Sequence, residues 1–384
     1  MTQKTIDNDI DEYIVRIFKE FHEKPELAGQ EFNTTKRITD ELVEIGAKIL
    51  PLNIKTGVVA EIAGKSPNPT IALRADIDAL PVEEESGLSY KSQNAGVMHA
   101  CGHDFHAAAL LGAAKLLAKE AADGNLNGTV RLIFEPGEER HIGAREMIEA
   151  GAVKGIDAIF GLHNMPQIET GTVGIKSGKL MASNDNFQVN ITGRGAHAAM
   201  PHLSADPIVA ASNIVVQLQS IISRNVDPAD RAVLTVGAFH GGAANNVIPD
   251  ETYFKGTIRT FSASARESIK QHFTDIVTNT SKSFGVKSEI VWDKGPSPVD
   301  NNSKVTGIVY DAANSFMNVE QAIPTNADDD FASFEELVPG CYVFMGSKGQ
   351  SNLHQSDFIA NPDGLKYATR LHYEVAKKLL EEFK

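Results

Sequence analysis

Four short apolar runs, TIALRAD (70–76), TVRLIFEP (129–136), DAIFGLH (157–163) and CYVFMGS (341–347), limit what this chain can fold into more than any other feature. Each is strand-like in length and composition and apolar on both faces, the pattern of a strand covered from both sides. Helical periodicity stands between them, as in AALLGAAKLLAKEA (108–121) and a stretch near 141–150. Strands alternating with helices imply a largely parallel sheet flanked by helices. Ahead of the first run, Ile10, Tyr13, Ile14, Ile17, Phe18 and Phe21 recur at three- and four-residue spacing, which predicts a helix ending near Pro25. A second helix is expected to carry Ile38, Leu42, Val43 and Ile45 on one face, and TGVVAEIAG (56–64) reads as a further strand.

From about residue 183 the texture changes. FQVNITG alternates apolar and polar residues, then come a helix over about 205–222, strands near 232–240 and 252–261, a helix over 263–284, and the strand VKSEIVW. This β-α-β-β-α-β order is that of a ferredoxin-like unit, whose close termini suit insertion into a host domain. The expected organisation is a catalytic domain in two parts, 1–180 and 294–384, around an inserted α+β domain, 181–293. After the insertion a helix (302–318), the CYVFMGS strand and a last helix (363–383) return the chain to the first sheet. A length of 384 residues fits this two-domain division.

The net charge of −14 argues against a binder of phosphate backbones, so nucleic acid is excluded as a partner. The first residues lack a basic start followed by an apolar core, and no run approaches the roughly 20 apolar residues of a membrane span. A cytoplasmic location is therefore expected. The two cysteines, Cys101 and Cys341, would stay reduced there.

Sites in open parallel sheets form beyond the carboxyl ends of the strands. Here those ends are chemically loaded: Asp76 and Asp78 after the first run, Glu135, Glu138 and Glu139 after the second, His163 at the third, and His354 beyond the fourth. The loop MHACGHDFH adds His99, Cys101, His103 and His106 just before a helix. A soft thiolate, several imidazoles and carboxylates together suit a transition metal, and more than four candidates suggest two ions sharing a ligand. Two other readings stand on the residues alone. Cys101 can be a buried apolar residue with His99 and His106 packing the helix start, or a nucleophile with a histidine base. The Cys-x-His spacing is poor for the latter pair, and it leaves the adjacent glutamates unexplained.

The strings RADIDALP, MHACGHDFHAA, EPGEE, GLHNMP, GRGAHAAMPHLSADPI, NVIPD and GTIRT, in this order, resemble the two-metal aminoacylase and carboxypeptidase family. Within it they are most similar to the branch of hippurate hydrolases, N-acyl-amino-acid amidohydrolases and auxin-conjugate hydrolases. The resemblance implies a co-catalytic metallopeptidase-like fold and two divalent metal ions per subunit, zinc or manganese, with cobalt or nickel as alternatives. It implies that Cys101 bridges the ions, that His103 and His163 complete one site, and that Glu139 and His354 complete the other. Glu138 falls where the family keeps its general base, and Asp76 at a position that orients a neighbouring ligand. His197, Asn246 and Arg259 match positions that bind the substrate's carboxylate or the developing oxyanion. The implied activity is metal-dependent hydrolysis of the amide bond of a small N-acyl-amino acid, with dipeptidase or carboxypeptidase activity on the same machinery as the alternative. A catalytically dead binding protein on this fold would lack the base or the ligands, all of which are present. A homodimer through the inserted domain, with His197 reaching the neighbouring site, and closure of that domain are further expectations. The chain departs from the branch in having Glu135 and Gly137 in EPGEE, where QPAEE is commoner, and Asp329 where glutamate is expected.

Overall fold

The strand Thr70–Asp76 is buried along its whole length and lies inside an eight-stranded sheet. This computed structural model describes residues 3–383, with side chains from Asp9 onward. The strand order is Lys48–Ile49, Val58–Ala63, Thr129–Glu135, Thr70–Asp76, Ala158–Met165, Gly340–Gly346, Thr172–Ile175, Asn318–Gln321. The four central strands run parallel, so the carboxyl ends carrying Glu135, Asp76 and His163 share one rim. Val58–Ala63 pairs antiparallel with Thr129–Glu135, and Thr172–Ile175 antiparallel with Gly340–Gly346, so the sheet is mixed but mostly parallel, as expected. The helix His103–Ala122 packs on the first helix, Gln3–Glu23, on the last, Leu365–Glu382, and on the central strands. Its first twelve residues are all buried, which explains why it reads as apolar all round rather than as an amphipathic surface helix. The short helices Gly143–Glu149 and Phe331–Glu335 pack on each other and on these strands.

The chain up to Leu180, together with Val299–Pro324 and Asp329–Lys384, forms one compact unit, and Met181–Pro298 with Thr325–Asp328 forms a second. The second unit holds an antiparallel four-stranded sheet in the order Ala232–Gly241, Glu251–Thr260, Ser183–Thr192, Lys287–Lys294. With the helices Pro207–Asn225 and Ala263–Ser283 this is the ferredoxin-like arrangement. Its core is its own: Phe187, Val189, Phe254 and Ile258 from the strands meet Ile214, Leu218, Ile269 and Phe273 from the helices.

Two local expectations are corrected. The helix expected over 302–318 spans Ser303–Ala313, because Asn314 and Ser315 close a turn with backbone bonds to Tyr310 and Ala312. The residues beyond it form the edge strand Asn318–Gln321. Val43, expected on the buried face of the second helix, is 60% exposed, whereas Ile38 and Leu42 are fully buried.

Candidate metal centre

The motif CGH turns the chain sharply before the helix it starts. Gly102 has φ +87°, a conformation costly for other residues, and a Cβ there would lie 2.2 Å from Asn164 Nδ2. Asn164 needs that space, since its Nδ2 donates to the Cys101 carbonyl at 2.6 Å and its Oδ1 accepts from Ser347 Oγ at 3.1 Å. The turn places Cys101 at the rim and leaves His103 as the first residue of the helix.

The ligand atoms of Cys101, His103 and His163 lie within 4.8 Å of one another and all three residues are buried. Those of Cys101, Glu139 and His354 do the same, so one sulfur belongs to both groups. Cys101 Sγ is 3.4 Å from His163 Nε2, and His354 Nε2 is 3.3 Å from Glu139 Oε1. His354 has φ +66°, uncommon for a residue other than glycine, and its N–H donates to the Ala100 carbonyl at 2.8 Å. That bond ties the histidine loop to the cysteine loop.

Hydrogen bonding aims the imidazoles. The Asn164 carbonyl can only accept, so His163 carries its hydrogen on Nδ1, 2.7 Å away, and turns a bare Nε2 to the cluster. His103 Nδ1 bonds Asp78 Oδ1 at 3.2 Å, and its buried Nε2 has no hydrogen-bond partner. Glu139 Oε1 is likewise buried, with His354 Nε2 at 3.3 Å and His103 Nε2 at 3.9 Å. An orphaned imidazole nitrogen and a buried carboxylate oxygen converging on a thiol and two further histidines are what a pair of divalent transition-metal ions requires, and the residues fit them.

Electrostatics agree with a cationic occupant. Burial, reinforced by the Glu139 and Glu138 carboxylates, raises the Cys101 thiol well above its ordinary value. Burial would lower His103, but the charges of Asp76 and Asp78 and the Asp78 hydrogen bond outweigh it and raise the group to about 10. Burial lowers His163 to about 3, so it is neutral and ready to ligate. Glu138 is pushed well up by burial and by Asp329, Glu139, Asp330 and Asp78. Glu139, despite its burial, is held below the usual range by His354 and His103.

Asp76 and Asp78 divide the support of this cluster. Asp78 holds His103 and also accepts the N–H groups of Glu138 and Glu139, both at 3.1 Å, so one carboxylate positions three site residues. Asp76 accepts from Arg74 Nη1 at 2.7 Å and from His106 Nδ1 at 2.5 Å, while its Oδ2 stays 3.8 Å from His103 Nε2. His106 Nε2 in turn accepts the Asn164 N–H at 2.8 Å, so Asp76 reaches the Cys101 loop through His106 and Asn164. His99 is buried apart from the ligands, with neither ring nitrogen hydrogen-bonded, and burial lowers it to about 4.

The two carboxylates that depart from the branch meet the same guanidinium. Arg74 Nε donates to Glu135 at 2.6 Å, and Arg74 Nη2 lies 3.3 Å from Asp329 and 3.2 Å from Asp330. Tyr342 donates to Asp329 at 2.5 Å. One cation cannot neutralise Asp76, Glu135, Asp329 and Asp330 together, and burial raises Glu135 to about 7. The other departure, Gly137, has φ +64°, which favours glycine at this turn.

Of the remaining candidates, His197 and Asn246 come together in the second unit. The strand Ala196–His197 pairs with Val247–Ile248, and the Ala198 N–H donates to the Asn246 carbonyl at 3.1 Å. Both residues are exposed. Arg259 stands separately on the strand Glu251–Thr260, in an ion pair with Asp328. No helix among the described residues is long and apolar enough to cross a membrane.

The family model of peptidase family M20/M25/M40 matches residues 72–378. The chain is 48% identical to the N-acetyl-L-cysteine deacetylase of Bacillus subtilis (strain 168), over 97% of this chain and 89% of the relative. It is 36% identical to thermostable carboxypeptidase 1 of Saccharolobus solfataricus, over 96% of each chain. Among solved structures, the Bacillus subtilis YXEP protein, described as a dinuclear metal binding peptidase from the M20 family, superposes with a TM-score of 0.87 at 37% identity, covering 97% of this chain and 99% of its own. Near-complete coverage at these identities extends the likeness from the motifs to the whole chain, which belongs to peptidase family M20/M25/M40 and is a hydrolase of that family.

Proposed function

We propose that the chain is a metal-dependent amidohydrolase cleaving the amide bond of N-acyl-L-amino acids. The observation that carries this reading is the single Cys101 sulfur common to two ligand groups, with Glu138 and Glu139 both within reach of His103. Two divalent ions, with zinc or manganese best suited to the mixed thiolate, imidazole and carboxylate donors and cobalt or nickel able to use them, would supply the Lewis acidity that acidifies a water and polarises the acyl carbonyl.

The chain's own residues do the rest. Glu138 accepts the proton of the attacking water and returns it to the departing amine nitrogen. Burial among carboxylates makes it a stronger base than a solvated glutamate. Asp78 keeps His103 Nε2 turned to the cluster, and Asp76 supports the Cys101 loop through His106 and Asn164. On this reading Arg259 and Asn246 hold the substrate's carboxylate, Arg259 by parallel N–H donors, and His197 stabilises the oxyanion. A homodimer through residues 181–293 and a cytoplasmic location belong to the same proposal.

Similarity to a deacetylase supports an acyl group on the amine side. Similarity to a carboxypeptidase favours, as a second reading, dipeptide or carboxypeptidase substrates on the same machinery. Elemental analysis joined to hydrolysis of N-acetyl-methionine, hippurate and a dipeptide panel, before and after chelation and metal add-back, tests both. About two metals per chain with activity lost and restored on acyl substrates is expected. Activity that survives in metal-free protein and vanishes when Cys101 is alkylated would return the cluster to a cysteine nucleophile.

A further inference from the structure

Arg259 differs from other arginines of this chain in which edge of its guanidinium it uses. The edge formed by Nε and Nη2 gives two parallel hydrogen bonds to a carboxylate. Arg37 uses it on both oxygens of Glu20, at 2.9 and 3.2 Å, and Arg131 turns the same edge on the single oxygen Oε1 of Glu61, at 3.1 and 2.6 Å. Arg266 uses it on Asp185, at 2.6 and 3.0 Å. Arg259 is bound through Nη1 instead, to Asp328 Oδ1, and its Nε and Nη2 make no hydrogen bond among the described residues. The side chain is 23% exposed.

Asp328 is anchored independently of the arginine. Its Oδ2 accepts from Asn184 Nδ2 at 3.1 Å, and Asn184 Oδ1 accepts from Thr257 Oγ1 at 3.1 Å. The segment before it is tied down by the Ala182 N–H to the Ala327 carbonyl at 2.9 Å and by a bridge between Met181 and Thr325. A carboxylate fixed in this way cannot swing aside easily, so it acts as a post rather than as an occupant that leaves.

We propose that Asp328 is a positioning residue for substrate recognition: by holding Nη1 it presents the Nε–Nη2 edge of Arg259 to the carboxylate of the incoming substrate. The inference rests on the assignment of Arg259 to that carboxylate. A free arginine loses rotamer entropy on binding an anion, and a pinned one has already lost it. The competing possibility, that Asp328 merely competes with substrate for the guanidinium, has the opposite sign, since removing its charge would then tighten binding.

The test uses metal-loaded enzyme with Asp328→Asn, Arg259→Ala and the double variant. It measures kcat and KM for N-acetyl-methionine and the inhibition constant of its carboxamide as competitor. Asp328→Asn should raise KM for the carboxylate about tenfold, the size of one lost charge-assisted hydrogen bond, with kcat within about twofold. The carboxamide's inhibition constant should not move, and Asp328→Asn should add nothing in the Arg259→Ala background. A lower or unchanged KM in Asp328→Asn, or an equal loss for the carboxamide, overturns the role of Asp328 alone. If Arg259→Ala keeps the preference for carboxylate over carboxamide, the assignment of Arg259 fails and the proposal falls with it.

Discussion

At the scale of single residues, Glu138 and Asp78 make separable predictions. Glu138→Gln keeps the shape of the side chain and leaves every ligand in place, so metal content should stay at the wild-type level while kcat falls about 10²–10⁴-fold. Retention of most of the activity in a fully loaded variant would show that the base lies elsewhere. Asp78→Asn acts through other groups: its amide cannot accept from both backbone N–H groups and also take the His103 hydrogen. Metal affinity should drop about 10–100-fold, read by chelator competition, with much of kcat recovered at saturating metal. The candidate ligands were legible because a thiol and histidines crowd a short loop and the other donors fall at strand ends. The support was not. Asp76 and Asp78 look alike in the sequence, and only the fold shows that Asp78 faces His103 while Asp76 faces Arg74 and His106. Arg74 was equally hidden, since its partners Glu135, Asp329, Asp330 and Tyr342 come from three distant segments.

At the scale of elements, the turn into the helix His103–Ala122 joins backbone conformation to site geometry. Gly102→Ala would put a methyl group into Asn164 and a β-carbon into a left-handed conformation. The expected cost is about 1–2 kcal/mol for the backbone and about 1–3 kcal/mol for the overpacking. Because Asn164 holds the Cys101 carbonyl, the variant should also lose metal before it unfolds, which thermal melts paired with elemental analysis would reveal. A variant that melts lower yet binds metal as tightly as wild type would separate the turn from the site. Long elements were legible for a general reason: a seven-residue buried strand or a twenty-residue helix repeats its period often enough to be recognised. The four-residue strands Thr172–Ile175 and Asn318–Gln321, of which only the second lies at the sheet edge, do not, and they are set by pairing with neighbours distant in sequence.

At the scale of the molecule, one buried histidine joins parts of the first unit that the metal centre does not itself connect. His22, at the end of the first helix, bonds Asp104 at 2.6 Å and Glu84 at 3.1 Å, with the Tyr90 ring against it. It therefore ties that helix to the loop carrying Glu84 and to the helix that begins at His103. Burial alone would lower its pKa, but the charge and hydrogen bond of Asp104 and those of Glu84 outweigh it and raise it to about 10. Asp104 and Glu84 move the other way: burial opposes them, yet the neighbouring histidines hold both below the usual carboxylate range. The signs fix a window. A histidine whose folded pKa lies above its ordinary 6.5 contributes fully below 6.5 and loses that contribution as pH rises through about 10. The carboxylates contribute above their ordinary values of 3.8 and 4.5 and lose it as pH falls through their lowered ones. His22→Gln should accordingly destabilise by on the order of 3 kcal/mol near pH 6, since it leaves two buried carboxylates without their cation. The deficit should shrink steadily between about pH 7 and 10, because only the wild type has this proton to lose there. Denaturant titrations of both proteins across that range, with metal removed from each, subtract the protons that the ligands themselves release. A deficit that stays constant from pH 6 to 10 would mean that His22 supports the fold by packing rather than by charge.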